Sequence, residues 1–257
     1  MSEEERSGWV RPGERATVRR LEDLARRAER TSQAVLTDFL TPREQHLAQS
    51  VAGSLGVAVT FYGGYPQAER KRALLASDWW EAEASDFRTR ALVMSPLTGV
   101  RHGQVLGALL GTGIERRKVG DLSVSDDGIQ VIVDMDMVGY LLTHWRRVGK
   151  HPVTLVSMPP EDLVWAAPAY RWAWVHVASP RVDAMVAAAC HWPRAKAKEW
   201  VERGQVTLNF AELDKPDEEV AEGDVISVRG FGRIAVGEPD GQTQRGRERW
   251  RLGILRS

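Results

Sequence analysis

The sequence predicts an α+β protein of three modules, and three observations carry that expectation. Apolar residues recur at helical three-and-four spacing in some segments and as β-branched runs in others. Between Asp86 and Val156 these segments follow the order β-α-β-β-α-β, a ferredoxin-like arrangement. Beyond Ser179 two short helices precede strands, and acids and arginines are segregated along the chain. The expected boundaries are a small N-terminal α/β domain over 1–82, a central ferredoxin-like domain over 83–160 and a C-terminal helix-and-strand module over 179–257.

In the first module Leu21, Leu24, Ala25 and Ala28 share one face of a helix. Thr41-Pro42-Arg43-Glu44 starts a second one, with a capping hydroxyl, a proline at the first helical position and a carboxylate that reaches back to the cap amide. Leu47, Val51 and Leu55 line that helix until Gly56 stops it, and Val57 to Phe61 follows as a strand. Tyr62-Gly63-Gly64-Tyr65-Pro66 is then expected to loop into a charged helix from Ala68 to Leu75.

In the central module Arg90 to Met94 reads as a strand and Gly103 to Leu110 as a helix with Val105, Leu106, Leu109 and Leu110 inward. Asp121 to Val124 and Ile129 to Asp134 form a hairpin through the turn Ser125-Asp126-Asp127-Gly128. A helix with Val138, Leu141, Leu142 and Trp145 inward and a strand from Val153 to Val156 complete the pattern. RNA-recognition-motif domains share this order, and the fold hosts many other functions. Neither 90–94 nor 121–124 contains Phe, Tyr or Trp, so any RNA contact here is made otherwise than by stacking bases on the sheet. Residues 157–178, with Pro159, Pro160, Pro168, Trp165, Trp172 and Trp174, read as a connector between domains.

The bulk composition narrows the class. No apolar run approaches the roughly 20 residues a bilayer needs, and the charged segment Met1 to Arg30 lacks the apolar core of a signal peptide. A soluble, cytoplasmic protein with no membrane contact is expected, and a monomer. Cys190, the one cysteine, excludes an intrachain disulfide and a multi-cysteine metal cluster, and reads as a small buried residue. Thirty-five cationic and 35 acidic side chains cancel, which argues against a nucleic-acid binder on the sum alone. Their distribution argues the other way. Residues 211–224 carry seven acids (Glu212, Asp214, Asp217, Glu218, Glu219, Glu222, Asp224). Residues 228–257 carry seven arginines (Arg229, Arg233, Arg245, Arg247, Arg249, Arg251, Arg256) against Glu238, Asp240 and Glu248. A neutral module segregated in this way can present a basic face or simply a solvated surface. The alternation from Arg245 to Arg251 fits a solvated edge strand as well as it fits phosphate contacts.

The C-terminal module carries the most specific pattern. Arg181 to Val186 starts a helix with Val182, Met185, Val186 and Ala189 on one face. Pro193 to Val201 is a second helix, stopped by Gly204, in which Ala197, Trp200 and Val201 point inward. Arg194, Lys196, Lys198 and Arg203 are left to the solvent side, where Arg bridges phosphate oxygens bidentately and Lys acts as a point charge. Gln205 to Asn209 and, after the acidic loop, Gly223 to Arg229 are strands.

These residues resemble the RNA-binding domain first described in ribosomal protein S-four of the small subunit. The matching positions are Arg181 and Asp183; Arg194, Lys196 and Ala197; Gly204, Val206 and Asn209; and Gly223, Asp224 and Ile226. The chain departs from that pattern at Val182, Pro193 and Phe210. More widely it resembles the YlmH-like S-four-domain proteins. The marks are Gly63-Gly64-Tyr65 with Ala68 to Arg72, the step from His102 to Gly107 before Gly113 to Asp121, and Arg229-Gly230-Phe231-Gly232-Arg233. Gly103 and Gln104 depart from the usual arginine and acid after the histidine. The resemblance implies association with the ribosome through rRNA and tRNA on the large subunit, and a part in clearing stalled nascent chains. The expected RNA-binding residues are Arg181, Arg194, Lys196, Lys198, Arg203, Arg229 and Arg233.

Catalysis is the competing class, because S-four domains accompany pseudouridine synthases, tyrosyl-tRNA synthetases and RNA methyltransferases. The synthetase signatures are absent. Gly111-Thr112-Gly113 follows a helix rather than a strand, and no catalytic aspartate motif lies upstream of Arg181-Val182-Asp183. His102 and Asp121 could form an acid–base pair but are more readily structural. Cys190-His191 has no partner for a metal. The expectation is a non-enzyme without cofactor, with a protein-interaction scaffold as the third class.

Overall fold

The computed structural model describes residues 10, 12–165, 170–213, 215–243 and 246–256. The chain divides into two compact units, Met1–Ala166 and Ala167–Ser257. Asp214, Arg245 and Pro168, named above, lie outside the described residues. Among the described residues no helix is long and apolar enough to cross a membrane.

The first unit opens with α1 (Arg15–Thr31), which buries the expected Leu21, Ala25 and Ala28 together with Val18. β1 (Val35–Leu40), unread in the sequence, follows. α2 (Pro42–Ser54) begins on the expected capping box, with Glu44 N donating to Thr41 Oγ1 and Thr41 N donating to Glu44 Oε2 at 2.8 Å. β2 (Ala58–Tyr62) and β3 (Lys71–Ala76) complete an antiparallel sheet of order β1-β3-β2. Leu21, Leu47, Val51 and Leu75 are at the centre of its core.

The charged helix expected over 68–75 is therefore not formed. Lys, Arg, Ala and Leu favour helix intrinsically, but β3 is the central strand of the sheet, and Ala73, Leu74, Leu75 and Ala76 are buried on both of its faces. A short apolar run of this kind has no periodicity that separates the two states.

The second sheet comprises β4 (Thr89–Met94), β5 (Val119–Ser125), β6 (Gly128–Asp134) and β9 (Val156–Met158). α3 (His102–Leu110) follows β4 and α4 (Val138–His144) follows β6, so the order β-α-β-β-α-β holds, with strands arranged β5-β6-β4-β9 and all pairs antiparallel. On α3, Val105 and Leu109 are buried, while Leu106 and Leu110 are half-buried. The last strand falls later than expected, because β7 (Arg147–Val148) and β8 (His151–Pro152) first make a small hairpin. One face of the sheet packs Leu92 and Val131 under Val105, Leu109, Leu141 and Trp145. The other packs Ala91 and Ile132 against Phe39 of β1, with Leu163 and Trp165 alongside. The face on which an RNA-recognition motif stacks bases is thus filled from within the unit.

In the second unit β10 (Arg171–Val177) is followed by α5 (Val182–Cys190), α6 (Arg194–Glu202), β11 (Val206–Leu208), β12 (Ala211–Glu212), β13 (Val225–Val228), β14 (Gly232–Gln242) and β15 (Glu248–Arg256). The sheet order is β10-β15-β14-β13-β11-β12. Val182, Met185, Val186, Ala197 and Val201 bury one face of it against Ile226, Ile234, Val236 and Leu252. Two expectations are corrected here. Residues 171–177 are a strand rather than connector, paired with β15 from Arg171↔Ile254 to Val177↔Glu248. The Arg-rich strand is not an edge, since β15 lies between β10 and β14.

Candidate nucleic-acid interface

The two helices of the second unit meet around one carboxylate. Asp183, 3% exposed, sits in the first turn of α5. Arg194, at the start of α6, donates to it from Nε at 3.0 Å and from Nη2 at 3.2 Å. Arg181 donates from its own Nε at 3.3 Å. One buried carboxylate thus aligns two guanidiniums, and Arg181 also lies 3.9 Å from the exposed carboxylate of Asp217. The hydrogen bond to Asp183 raises the pKa of Arg194, whose side chain stays 47% exposed. Its Nη1 amino group lies outside the pair. The acidic loop is fastened to the same turn, as Val182 N donates to Glu218 O and Asp183 N to Pro216 O. Sequence reasoning does not single out Asp183 as the organiser; the only signal for it is an Arg-x-Asp step at a helix start.

Lys196 is placed differently, with Nζ 4.3 Å from the centroid of the Trp192 ring. Trp192 packs at 4.8 Å against Trp200, which is half-buried rather than fully inward, and edge-on at 6.3 Å against Phe231. Arg256 covers Phe231 at 5.0 Å. Lys198 pairs with Glu202 at 3.7 Å and Arg203 with Glu199 at 2.6 Å along the exposed helix face. Such exposed pairs are worth ~1 kcal/mol or less and hold a cation only weakly against a phosphate. Arg229 is exposed, and Arg233 lies 5.4 Å from the Phe210 ring. The structure therefore joins Arg181 with Arg194 and seats Lys196 on an aromatic cluster, while Lys198 and Arg203 face acids of their own helix.

The C-terminal arginines do not make an unopposed basic face. Across β14 and β15, Arg249 meets Asp240 at 2.7 Å and Arg251 meets Glu238 at 2.9 Å. The same two guanidiniums cover the exposed rings of Trp174 and Trp172 at 4.4 and 4.8 Å. Cys190 is buried as expected, and burial pushes its thiol up to about 11.

In the first unit Tyr65, Glu69, Arg70 and Asp121, four of the residues that carried the wider resemblance, form a joint between the two sheets. Asp121 accepts from the Tyr65 hydroxyl at 2.7 Å, from Glu69 N at 2.7 Å and from Arg70 N at 3.0 Å. Burial first, and then the charge of Asp121, pushes the Tyr65 hydroxyl far above its ordinary value, and its ring stacks on Trp165 at 4.6 Å. Both carboxylate oxygens of Asp121 are thus engaged within the joint. A Cβ on Gly120 would stand 2.8 Å from Phe39 Cε1, so only glycine lets β1 approach β5 this closely. The basic run 116–118 also turns to structure. Arg116 donates to Val119 O, Arg117 reaches Asp38, and Lys118 bridges Asp38 at 2.7 Å and Asp134 at 2.9 Å. Asp134 also holds Arg72 of β3 at 3.3 Å.

A two-unit α+β protein with guanidiniums fixed by a buried carboxylate at a helix junction is the class that fold and site define. Residues 13–80 match the family model described as "YlmH, N-terminal", and residues 92–162 match the one described as "Putative RNA-binding domain in YlmH". A protein of Bacillus subtilis (strain 168), "Ribosome-associated protein quality control protein P2", is 35% identical over 249 residues, which cover 96% of each chain. The chain belongs to the YlmH family. A solved structure, "Cell division protein ylmH from Streptococcus pneumoniae", superposes with a TM-score of 0.56 at 23% identity, over 60% of this chain and 95% of that one. At that identity the likeness speaks to the fold.

Proposed function

We propose that the chain is a non-catalytic, cytoplasmic RNA-binding protein that associates as a monomer with the large ribosomal subunit, through rRNA or tRNA, in the quality control of stalled nascent chains. The observation that carries this reading is the Asp183 clamp on Arg181 and Arg194 beside Lys196 on its aromatic seat. Cations held in place before binding lose little side-chain freedom on meeting a phosphate. The name of the Bacillus subtilis relative and the description of the central family model support the same direction. In this reading residues 1–82 are an N-terminal α/β module, residues 83–160 a ferredoxin-like one and residues 179–257 an S-four-type one, and the strand order β5-β6-β4-β9 supports the second of these. Of the expected RNA-binding residues, Arg181, Arg194 and Lys196 are then primary and Lys198, Arg203, Arg229 and Arg233 peripheral.

Sedimentation with separated ribosomal subunits, with and without tRNA, tests the proposal. The parent protein is expected with the large subunit, and the double variant Arg194→Ala with Lys196→Ala is expected to bind about tenfold less or weaker, since a charge-assisted contact is worth roughly 1.5–3 kcal/mol. Arg194→Lys keeps a cation beside Asp183 and controls for folding. A folded double variant that sediments as fully as the parent removes the assignment of these residues.

A further inference from the structure

From Met137 to Pro160 the chain contains no aspartate or glutamate, yet it carries Arg146, Arg147 and Lys150 together with His144 and His151. The hairpin β7–β8 gathers these cations into one turn, with Val148 opposite His151 and Arg147 opposite Pro152. Trp145 and Val148, each 1% exposed, anchor it in the core of the second sheet, and Val153 N donates to Arg146 O at 2.9 Å. Arg146 and Arg147 between these anchors, and Lys150 at the turn beyond them, are all exposed. Arg146 Nε donates to Thr143 O at 2.8 Å and Arg147 Nη2 to Lys150 O at 3.1 Å. Bonds to carbonyls fix a guanidinium without cancelling its charge. Among the described residues none of the three forms an ion pair with a carboxylate, in contrast to Lys118, Lys198 and Arg203. Beside them the His144 ring stacks on exposed Tyr140 at 4.1 Å.

We propose that the β7–β8 hairpin is a phosphate-binding site for structured RNA, additional to the helix pair α5–α6. The inference rests on the RNA-binding reading above and assigns the surface through which the first unit meets RNA. The second sheet cannot stack bases, because Phe39, Leu163 and Trp165 occupy its outer face. What the unit offers to RNA is backbone recognition: two guanidiniums and an ammonium on a rigid tip, which position a protein on a duplex without reading its sequence.

The test is a titration of a fluorescently labelled RNA stem–loop with the full chain at several salt concentrations. Every phosphate that a variant no longer neutralises takes about 0.7–0.9 off the slope of log affinity against log salt. Arg146→Ala with Arg147→Ala and Lys150→Ala is expected to flatten the slope by about 2 to 3 and to weaken binding tenfold or more at low salt. Arg146→Lys with Arg147→Lys keeps the charge and is expected to keep most of the slope. A triple-alanine variant with the parent's slope and affinity overturns the site while leaving the helix pair in place. A flattened slope in the lysine variant overturns it too, because the charge would then not be its source. A parent chain that does not bind the stem–loop at any salt overturns the RNA reading as a whole, this site included.

Discussion

Asp134→Ala is expected to cost the first unit about 3–5 kcal/mol, lowering its melting temperature on the order of 10 °C, because it leaves the buried Arg72 guanidinium without its ion-pair partner. The Asp134 side chain is 2% exposed and that of Arg72 is 7% exposed. Arg72 also donates to the carbonyls of Thr37, Phe87 and Arg88, so the guanidinium cannot swing out to solvent without breaking the seams of both sheets. Burial pulls its pKa down against the pull of Asp134, but an arginine stays charged at any pH a folded protein meets. Burial likewise pushes the Asp134 carboxyl up, yet the hydrogen bond from Lys118 and the charge of Arg72 outweigh it and hold the carboxyl below its ordinary value. A depressed carboxylate contributes stability that is present above its unfolded value and is lost as pH falls through the folded one. Thermal melts from neutral pH into acid should therefore show the parent losing stability toward the variant. Equal melting temperatures at neutral pH would show that the network carries no stability.

Gly232→Ala is expected to disrupt the second unit, with a cost of about 3 kcal/mol or more. Gly232 has φ +135°, and a Cβ there would stand 2.0 Å from Leu255 O and 2.9 Å from Arg256 Cα. Both obstacles are backbone, so no side chain can turn aside. The atoms in the way all belong to β15, where Arg256 pairs with Gly232, so relief requires β14 and β15 to part at this end of the sheet. Hydrogen exchange should find the amides of β14 and β15 unprotected while those of β3 and β6 remain protected. Full protection in β14 and β15 would refute the steric argument. In the sequence Arg229-Gly230-Phe231-Gly232-Arg233 is one of the marks of the family resemblance; in the structure its second glycine sets strand spacing.

Local signals are legible in this sequence and long-range ones are not. The capping box at Thr41, the turn that joins β5 to β6 and the helices flanking Pro193 are written within a few neighbouring residues, and the structure contains each. β3 reads as a helix because nothing within Ala68 to Leu75 shows that both of its faces are covered. β10 reads as a connector because its partner β15 lies at the other end of the unit. The same limit applies to the site. The cations of α6 stand at the positions expected of them, and helical spacing already sets Glu202 and Glu199 beside Lys198 and Arg203, but Asp183 and Trp192, which fix Arg194 and Lys196, lie outside the helix and have no such signal. The network around Asp134 joins Asp38, Arg72 and Lys118 from three separate segments, and so has no local signature at all.

The placement of β15 between β10 and β14 also bears on how this unit comes into being during synthesis. β10 is made first and has its sheet partner only in β15, which is made last. A nascent chain that has delivered β10, both helices and β13 to solution holds a tryptophan-bearing strand with nothing to pair with until the final hairpin emerges. Pairings this distant in sequence form slowly, because the loop entropy is lost before any contact compensates for it. Closure of the unit is therefore a late and cooperative event, and a ribosome that stalls within β14 leaves β10 as an open strand rather than a partly finished sheet.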